Sequence, residues 1–298
     1  MGMTTNQIAM VKALAENRVQ DAKKYAICCC AEDSTKKNEW EIKRIKALLE
    51  NGGVNFLELP ANLVGCLRME DVSDFRENRY YLGKKEKEIF KNIERTNRVS
   101  MQLLELGIPY LNSTLLYGLP GTGKTMFGRY VAYKLKLPFA YVNFSYLIDS
   151  YMGNTSKNLK KVFDFCKGKA CVLMLDEIDC IGLKRSGGSD GTGGELARTT
   201  ISLMQELDML TNEQVVLAAT NREDRLDPAL KRRFFQRQEI SLFENEDRIK
   251  MAIKFLDDVG VEYDESEVAE YSKEQRTQAD MIKFATQLVI RKVVRENE

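Results

Sequence analysis

Histidine is absent from all 298 residues. That removes Ser-His-Asp triads, His-ligated zinc and any HExxH metalloprotease helix from the chemistry open to this chain. A peptidase working beside it is therefore expected on another polypeptide. Net charge is also close to absent, with 45 Lys and Arg against 44 Asp and Glu. A dedicated nucleic-acid binder usually carries a basic excess, so nucleic acid is not the expected partner. No apolar run approaches the ~20 residues that span a bilayer. The N-terminus lacks a charged-then-apolar leader pattern. Met1-Gly2 opens like a myristoylation site, but Asn6 stands where Ser or Thr is required. A cytoplasmic protein without a membrane partner is expected. The seven cysteines, at 28, 29, 30, 66, 166, 171 and 180, form no C-x-x-C pair. Their odd number does not suit a disulfide framework, and they read as small core residues in a reducing compartment.

What is present is a globular composition. The chain is 44% hydrophobic, enough for a sizeable core, and its length leaves room for about two domains. Residues 5–50 read as helices: Ile8, Val11 and Ala15 recur at helical spacing, as do Tyr25, Ala26 and Cys29, then Ile42, Ile45 and Leu49. Trp40 opens the last of these, and Asn51-Gly52-Gly53 is a stop signal. Residues 54–80 are mixed and polar, and read as a linker.

Beyond Leu82 the pattern changes. A polar helix is predicted over 84–106, a strand over 113–117 and a helix over 124–135. Further buried strands are predicted at 139–142, 171–175, 215–219 and 238–241, with helices between them. Such alternation predicts an α/β fold with a parallel sheet covered on both faces. After 242 the chain reads as helical. One stripe holds Ile249, Ala252, Ile253 and Leu256, another Met281, Ala285, Leu288 and Val289; together they predict a small C-terminal helical lid. The expected domains are an N-terminal helical domain with linker (1–75), a large α/β domain (76–242) and the lid (243–298).

Gly118-Leu119-Pro120-Gly121-Thr122-Gly123-Lys124-Thr125 fits G-x-x-x-x-G-K-[ST]. It follows an apolar strand and opens a helix, as a phosphate loop must. Glycines let backbone N–H groups wrap phosphate oxygens, and the helix N-terminus favours negative charge. Lys124 is expected on the β- and γ-phosphates and Thr125 on Mg2+. The run 171–175 ends in Asp176-Glu177. A carboxylate at a strand's C-terminal edge sits where open parallel sheets bind ligands. Asp176 is expected to hold Mg2+, and Glu177 to orient or deprotonate the attacking water. Alone, this pair would read equally well as a solvated turn; its distance from the glycine loop decides for chemistry. The run 215–219 ends in Thr220-Asn221, where an amide can hold water or touch the γ-phosphate. Arg232-Arg233 before Phe234 would ordinarily be surface charge. Guanidinium forks nevertheless suit phosphate oxygens, including those of a neighbouring subunit.

Together these residues resemble the AAA ATPase family over about 82–296, a branch of the P-loop NTPases. Glu105-Leu106-Gly107-Ile108 leading into Leu115-Leu116-Tyr117-Gly118 is similar to that family's approach to the phosphate loop. Glu206-Leu207-Asp208 resembles its helix after the acidic pair, and Thr220-Asn221 its sensor 1. Arg232 and Arg233 resemble its paired arginine fingers, with compact spacing similar to the branch containing katanin and spastin. The resemblance implies a homo-oligomeric ring, usually a hexamer, in which each ATP site is completed by the next subunit. Ser150-Tyr151-Met152-Gly153 resembles the family's first pore loop, with Asn154 in place of its usual glutamate. Tyr151, Met152 and Gly153 would grip an extended polypeptide, and 184–194 would be a flexible second pore loop. Two places depart from the pattern. The lid has Gln278-Ala279-Asp280 where the family carries Gly-Ala-Asp, and Tyr81-Leu82-Gly83 matches the base-contacting segment only loosely.

The leading expectation is a ring-forming, Mg2+-dependent ATPase that remodels or unfolds protein substrates through a central pore. The alternative is a regulatory ATPase that gates a separately encoded effector such as a protease or nuclease. A nucleic-acid motor is the third reading, kept open by the lysines of 84–91.

Overall fold

The computed structural model describes residues 3–15, 19–32, 42, 59–60, 63–108, 110–149, 155–167, 169–181, 191–210 and 214–297. The chain divides into two compact units, Met1–Asn62 and Leu63–Glu298. Among the described residues, no helix is long and apolar enough to cross a membrane.

The first unit holds helix α1 (Thr5–Ala15) and helix α2 (Val19–Glu32). Asn6, near the start of α1, donates to Glu32 at the end of α2, so the pair is antiparallel. Alanines let the two helices approach closely: Ala13 and Ala22 are buried among the described residues. The third helix expected here falls almost wholly outside the described residues.

The second unit is built on a six-stranded sheet. Its strands are β1 (Arg68–Glu70), β2 (Asn112–Tyr117), β3 (Phe139–Asn143), β4 (Cys171–Asp176), β5 (Gln214–Thr220) and β6 (Gln236–Glu239). They lie in the order β1-β3-β4-β5-β2-β6. All pairings are parallel except that of β1 with β3. The central strands β4 and β5 are unbroken apolar runs because both their faces are buried. On one face Leu116, Phe139, Val172, Met174, Val215 and Leu217 share a core. Helix α3 (Lys84–Glu105) adds Ile89, Phe90 and Ile93 to it, and helix α4 (Lys124–Leu135) adds Phe127, Tyr130 and Val131. The alternate residues Leu173, Leu175, Val216 and Ala218 are equally buried on the other face.

Two differences from the sequence reading have simple causes. The last strand runs over Gln236–Glu239 and not 238–241. It is an edge strand of alternating exposure, so its polar residues hide it, while Ile240 leaves the strand to bond Tyr117 O through its own N–H at 2.8 Å. Within the stretch read as a linker lies β1, a three-residue antiparallel edge. Around it Leu63, Cys66, Leu67 and Val72 are buried. Phe75 and Tyr80 stack with Tyr133 and Tyr130 at 5.4 and 5.1 Å. These apolar residues recur with neither a helical nor a strand period, so periodicity does not reveal them.

After helix α5 (Phe144–Asp149), helix α6 (Thr155–Cys166), helix α7 (Gly191–Asp208) and the short helix α8 (Pro228–Lys231), the chain ends in the lid. Its helices are α9 (Asn245–Val259), α10 (Glu265–Ser272) and α11 (Gln278–Asn297). Ala252, Leu256, Val268, Met281, Phe284 and Ala285 form its core, with the Tyr271 and Phe284 rings stacked at 3.9 Å. Arg248 is buried with its donors satisfied: it bonds Phe243 O at 2.6 Å and Ser272 O at 2.8 and 3.2 Å. That locks α9 to α10 and to the segment entering the lid.

Candidate nucleotide site

Strand β2 ends at Tyr117 and helix α4 begins at Lys124. The six residues between them turn on glycines in left-handed backbone regions. Gly118 has φ 143°, and a Cβ there would strike the Ile240 carbonyl. Gly121 has φ 77° and lies against Thr277 of the lid, whose neighbour Ala279 donates its N–H to Gly121 O at 3.0 Å. The lid thus rests on the loop itself. Strand β2 lies beside β5, and the connections leaving these two neighbours run to opposite sides of the sheet. Crevices at such switch points are where open α/β sheets bind ligands.

Lys124 is 7% exposed. Its ammonium donates to Gly118 O at 3.0 Å and Leu119 O at 2.9 Å, curling over the inside of the loop. Burial pushes this ammonium below its ordinary range, and Asp176 and Asp179 pull it partly back. A buried cation at a helix N-terminus lined with backbone N–H groups is a site for a polyanion.

Facing it across the loop, Thr125 Oγ1 donates to Asp176 Oδ2 at 2.7 Å. The Tyr141 hydroxyl donates to the same oxygen at 3.2 Å, and Glu177 N–H donates to Asp176 Oδ1 at 3.0 Å. Burial pushes the Tyr141 phenol up, as do Asp176 and Glu177 nearby. Glu177 itself has φ 56°, a left-handed conformation costing on the order of 1 kcal/mol for a residue with a Cβ. It is held there by the Asp176 bond, by Cys180 N–H on its carbonyl at 2.9 Å, and by Ser145 Oγ on Oε2 at 2.6 Å. A hydroxyl and a carboxylate side by side are hard oxygen donors, which suits Mg2+.

Pro120, Gly121, Thr122, Gly123, Lys124, Thr125, Asp176, Glu177 and Asn221 all border one cavity of about 820 Å³. Ligand clefts typically run to about 300–1,000 Å³. Gly118 contributes its carbonyl to Lys124. Tyr81, Phe243, Met251 and Phe255 make the far end apolar, fit for a flat base. Gln278 borders the same cavity, its amide donating to Ser241 O at 2.9 Å.

Arg232 and Arg233 are not brought there. Arg233 forks onto Asp208 at 3.2 and 3.3 Å. Arg232 is exposed, bonds Pro228 O at 3.2 Å, and borders a separate basic groove with Phe235 and Arg237. Tyr151, Met152 and Gly153 lie outside the described residues. So does most of 184–194, whose last four residues open α7. Tyr141 and Ser145 were missed by sequence reasoning, because no motif marks them. The one available signal was their place at and just beyond the C-terminal end of a buried strand.

A glycine loop between a buried strand and a helix, with its lysine, hydroxyl and carboxylate converging, places this site in the P-loop class of nucleotide-binding domains. The family model for "ATPase family associated with various cellular activities (AAA)" matches residues 114–242. Over that span the chain is similar to AAA ATPase domains. It is 37% identical over 202 residues to the 26S proteasome regulatory subunit 8 homolog of Schizosaccharomyces pombe, an alignment covering 64% of this chain and 50% of the relative. It is 37% identical over 152 residues to the proteasome-activating nucleotidase of Methanococcus maripaludis, covering 49% and 37%. The 26S proteasome regulatory subunit 10B homolog A of Arabidopsis thaliana is 35% identical over 154 residues, covering 51% and 39%. The chain therefore spans half or less of the length of these relatives.

Proposed function

We propose that this chain is a Mg2+-dependent ATPase working in a ring, the motor half of a two-component machine. The observation that carries the reading is the convergence of Lys124, Thr125, Asp176 and Glu177 on one cavity. The triphosphate lies in the 118–125 loop, with Lys124 leaving the Gly118 and Leu119 carbonyls for the β- and γ-oxygens. Thr125 and Asp176 would hold Mg2+, which would supply charge neutralisation on the triphosphate. Glu177 takes a proton from water as the water oxygen bonds the γ-phosphorus. The bond from that phosphorus to the bridging oxygen breaks, and ADP leaves with the electron pair. Asn221, at the end of β5, orients the water or the γ-phosphate. Arg232 and Arg233 lie outside their own subunit's cavity, which supports their service to the site of a neighbouring copy.

Both expected roles require that ring. The relatives' names describe proteins that activate or regulate a proteasome. They favour the reading in which ATP use here serves a separately encoded effector, a protease foremost. The absence of histidine supports the same division of labour. Remodelling of protein substrates through a pore lined by Tyr151 is compatible with it; the compact Arg232–Arg233 spacing resembles the katanin and spastin branch, whereas the relatives reported above carry proteasome names. The test is phosphate release by the purified protein with Mg·ATP, with and without a candidate protease and an unfolded substrate. Mg·ATP turnover absent in every combination sinks the ATPase reading. Turnover that leaves proteolysis unchanged sinks the effector reading alone.

A further inference from the structure

Tyr141 occupies β3 with its hydroxyl 3.2 Å from Asp176 Oδ2, the oxygen that also accepts from Thr125. Asn143, on the same side of the strand two residues on, donates its amide to the Tyr141 oxygen at 3.3 Å. With that lone pair engaged, the phenolic proton is directed to the carboxylate. The ring is held as well. Arg68 lies 5.1 Å and Arg129 5.9 Å from its centroid, within cation–π range. Arg129 in turn forks onto Glu70 at 2.7 and 3.2 Å, so strand β1 is tied across Tyr141 to α4, the helix that Lys124 opens.

A carboxylate's last torsion is broad and roughly two-fold. Glu177 N–H holds Oδ1, but with Thr125 as its one other donor Oδ2 would follow that hydroxyl when the hydroxyl's lone pair turns to a metal. A second donor from a rigid strand removes the freedom. We propose that Tyr141 is the positioning residue of the Mg2+ site, holding Asp176 Oδ2 in register with Thr125. This rests on the ATPase reading above, and concerns the metal within it. Carboxylates that bind metals are themselves commonly hydrogen-bonded, and removing such a partner typically costs about 10–100-fold in metal affinity.

Tyr141→Phe keeps the ring between its guanidiniums and deletes only the proton donor. Binding of ADP is followed by calorimetry while Mg2+ is titrated, and again in EDTA. The half-saturating Mg2+ concentration is expected to rise about tenfold in the variant. Affinity for ADP in EDTA is expected to stay unchanged, and turnover to recover at saturating Mg2+. An unaltered Mg2+ dependence overturns the proposal. So does a loss that no Mg2+ concentration repairs, because that is the mark of a damaged fold. If wild-type protein shows no Mg2+-dependent nucleotide binding, the ATPase reading falls and takes this inference with it.

Discussion

Ser145 Oγ donates to Glu177 Oε2 across 2.6 Å, joining the start of α5 to the acidic end of β4. The proposed base is thus oriented by a residue 32 positions away in the chain. Hydrogen bonds to charged groups are worth about 1.5–3 kcal/mol, and about 1.4 kcal/mol is tenfold in rate. Ser145→Ala is expected to lower turnover about tenfold with ATP affinity little changed. Phosphate release and nucleotide titration measured together check this; undiminished turnover would remove Ser145 from the account.

Glu177→Gln keeps the shape of the side chain and the Ser145 contact while removing the base. Turnover is expected to drop by about 10²–10⁴-fold, with ATP still bound and retained on the protein. Filter binding with labelled ATP reads the retention. Ordinary steady-state hydrolysis by this variant would show that the base is another group.

Arg232 is exposed and does not border its own subunit's cavity. Arg232→Ala is expected to leave nucleotide binding intact and to lower hydrolysis by about 10³-fold or more, only in assembled protein. Sizing by light scattering beside the rate assay separates assembly from catalysis. Full-rate hydrolysis by a proven monomer contradicts the assignment.

Glu70 provides a pH signature independent of nucleotide. Burial works to raise its carboxyl, but the hydrogen bonds and charge of Arg129, aided by Arg68, win and hold it below its ordinary range. A folded value below the unfolded one contributes stability above the unfolded value. That contribution is lost as pH falls through the folded value. Glu70→Gln is expected to cost about 1 kcal/mol at neutral pH, and the gap to parent should narrow at an acid pH below the ordinary carboxylate range. Urea denaturation at the two pH values measures it. A gap of equal size in acid would mean that packing, not ionisation, explains the loss.

The phosphate loop and the acidic pair were legible in sequence because local chemistry dictates them. Only glycine tolerates the backbone at Gly118 and Gly121, and only a strand buried on both faces reads as 171–175 does. The aromatic packing of Phe75 and Tyr80 was not legible. These residues are irregularly spaced, and each is partly buried by partners distant in sequence. Strand β1 escaped for the same reason, being three residues long and polar at both ends.

From its residues alone, this chain declared an α/β sheet of largely parallel strands, a glycine loop that opens a helix, and an acidic pair at the end of a buried strand. Periodicity and backbone permissiveness are properties of short segments, so they survive without the fold. Tertiary structure decided that Tyr141 and Ser145 grip Asp176 and Glu177, that the lid rests on Gly121, and that Arg232 and Arg233 do not border the site. Those outcomes depend on strand order and on which ends of the strands coincide. No window of sequence contains that information, because it is set by the burial of the whole sheet at once.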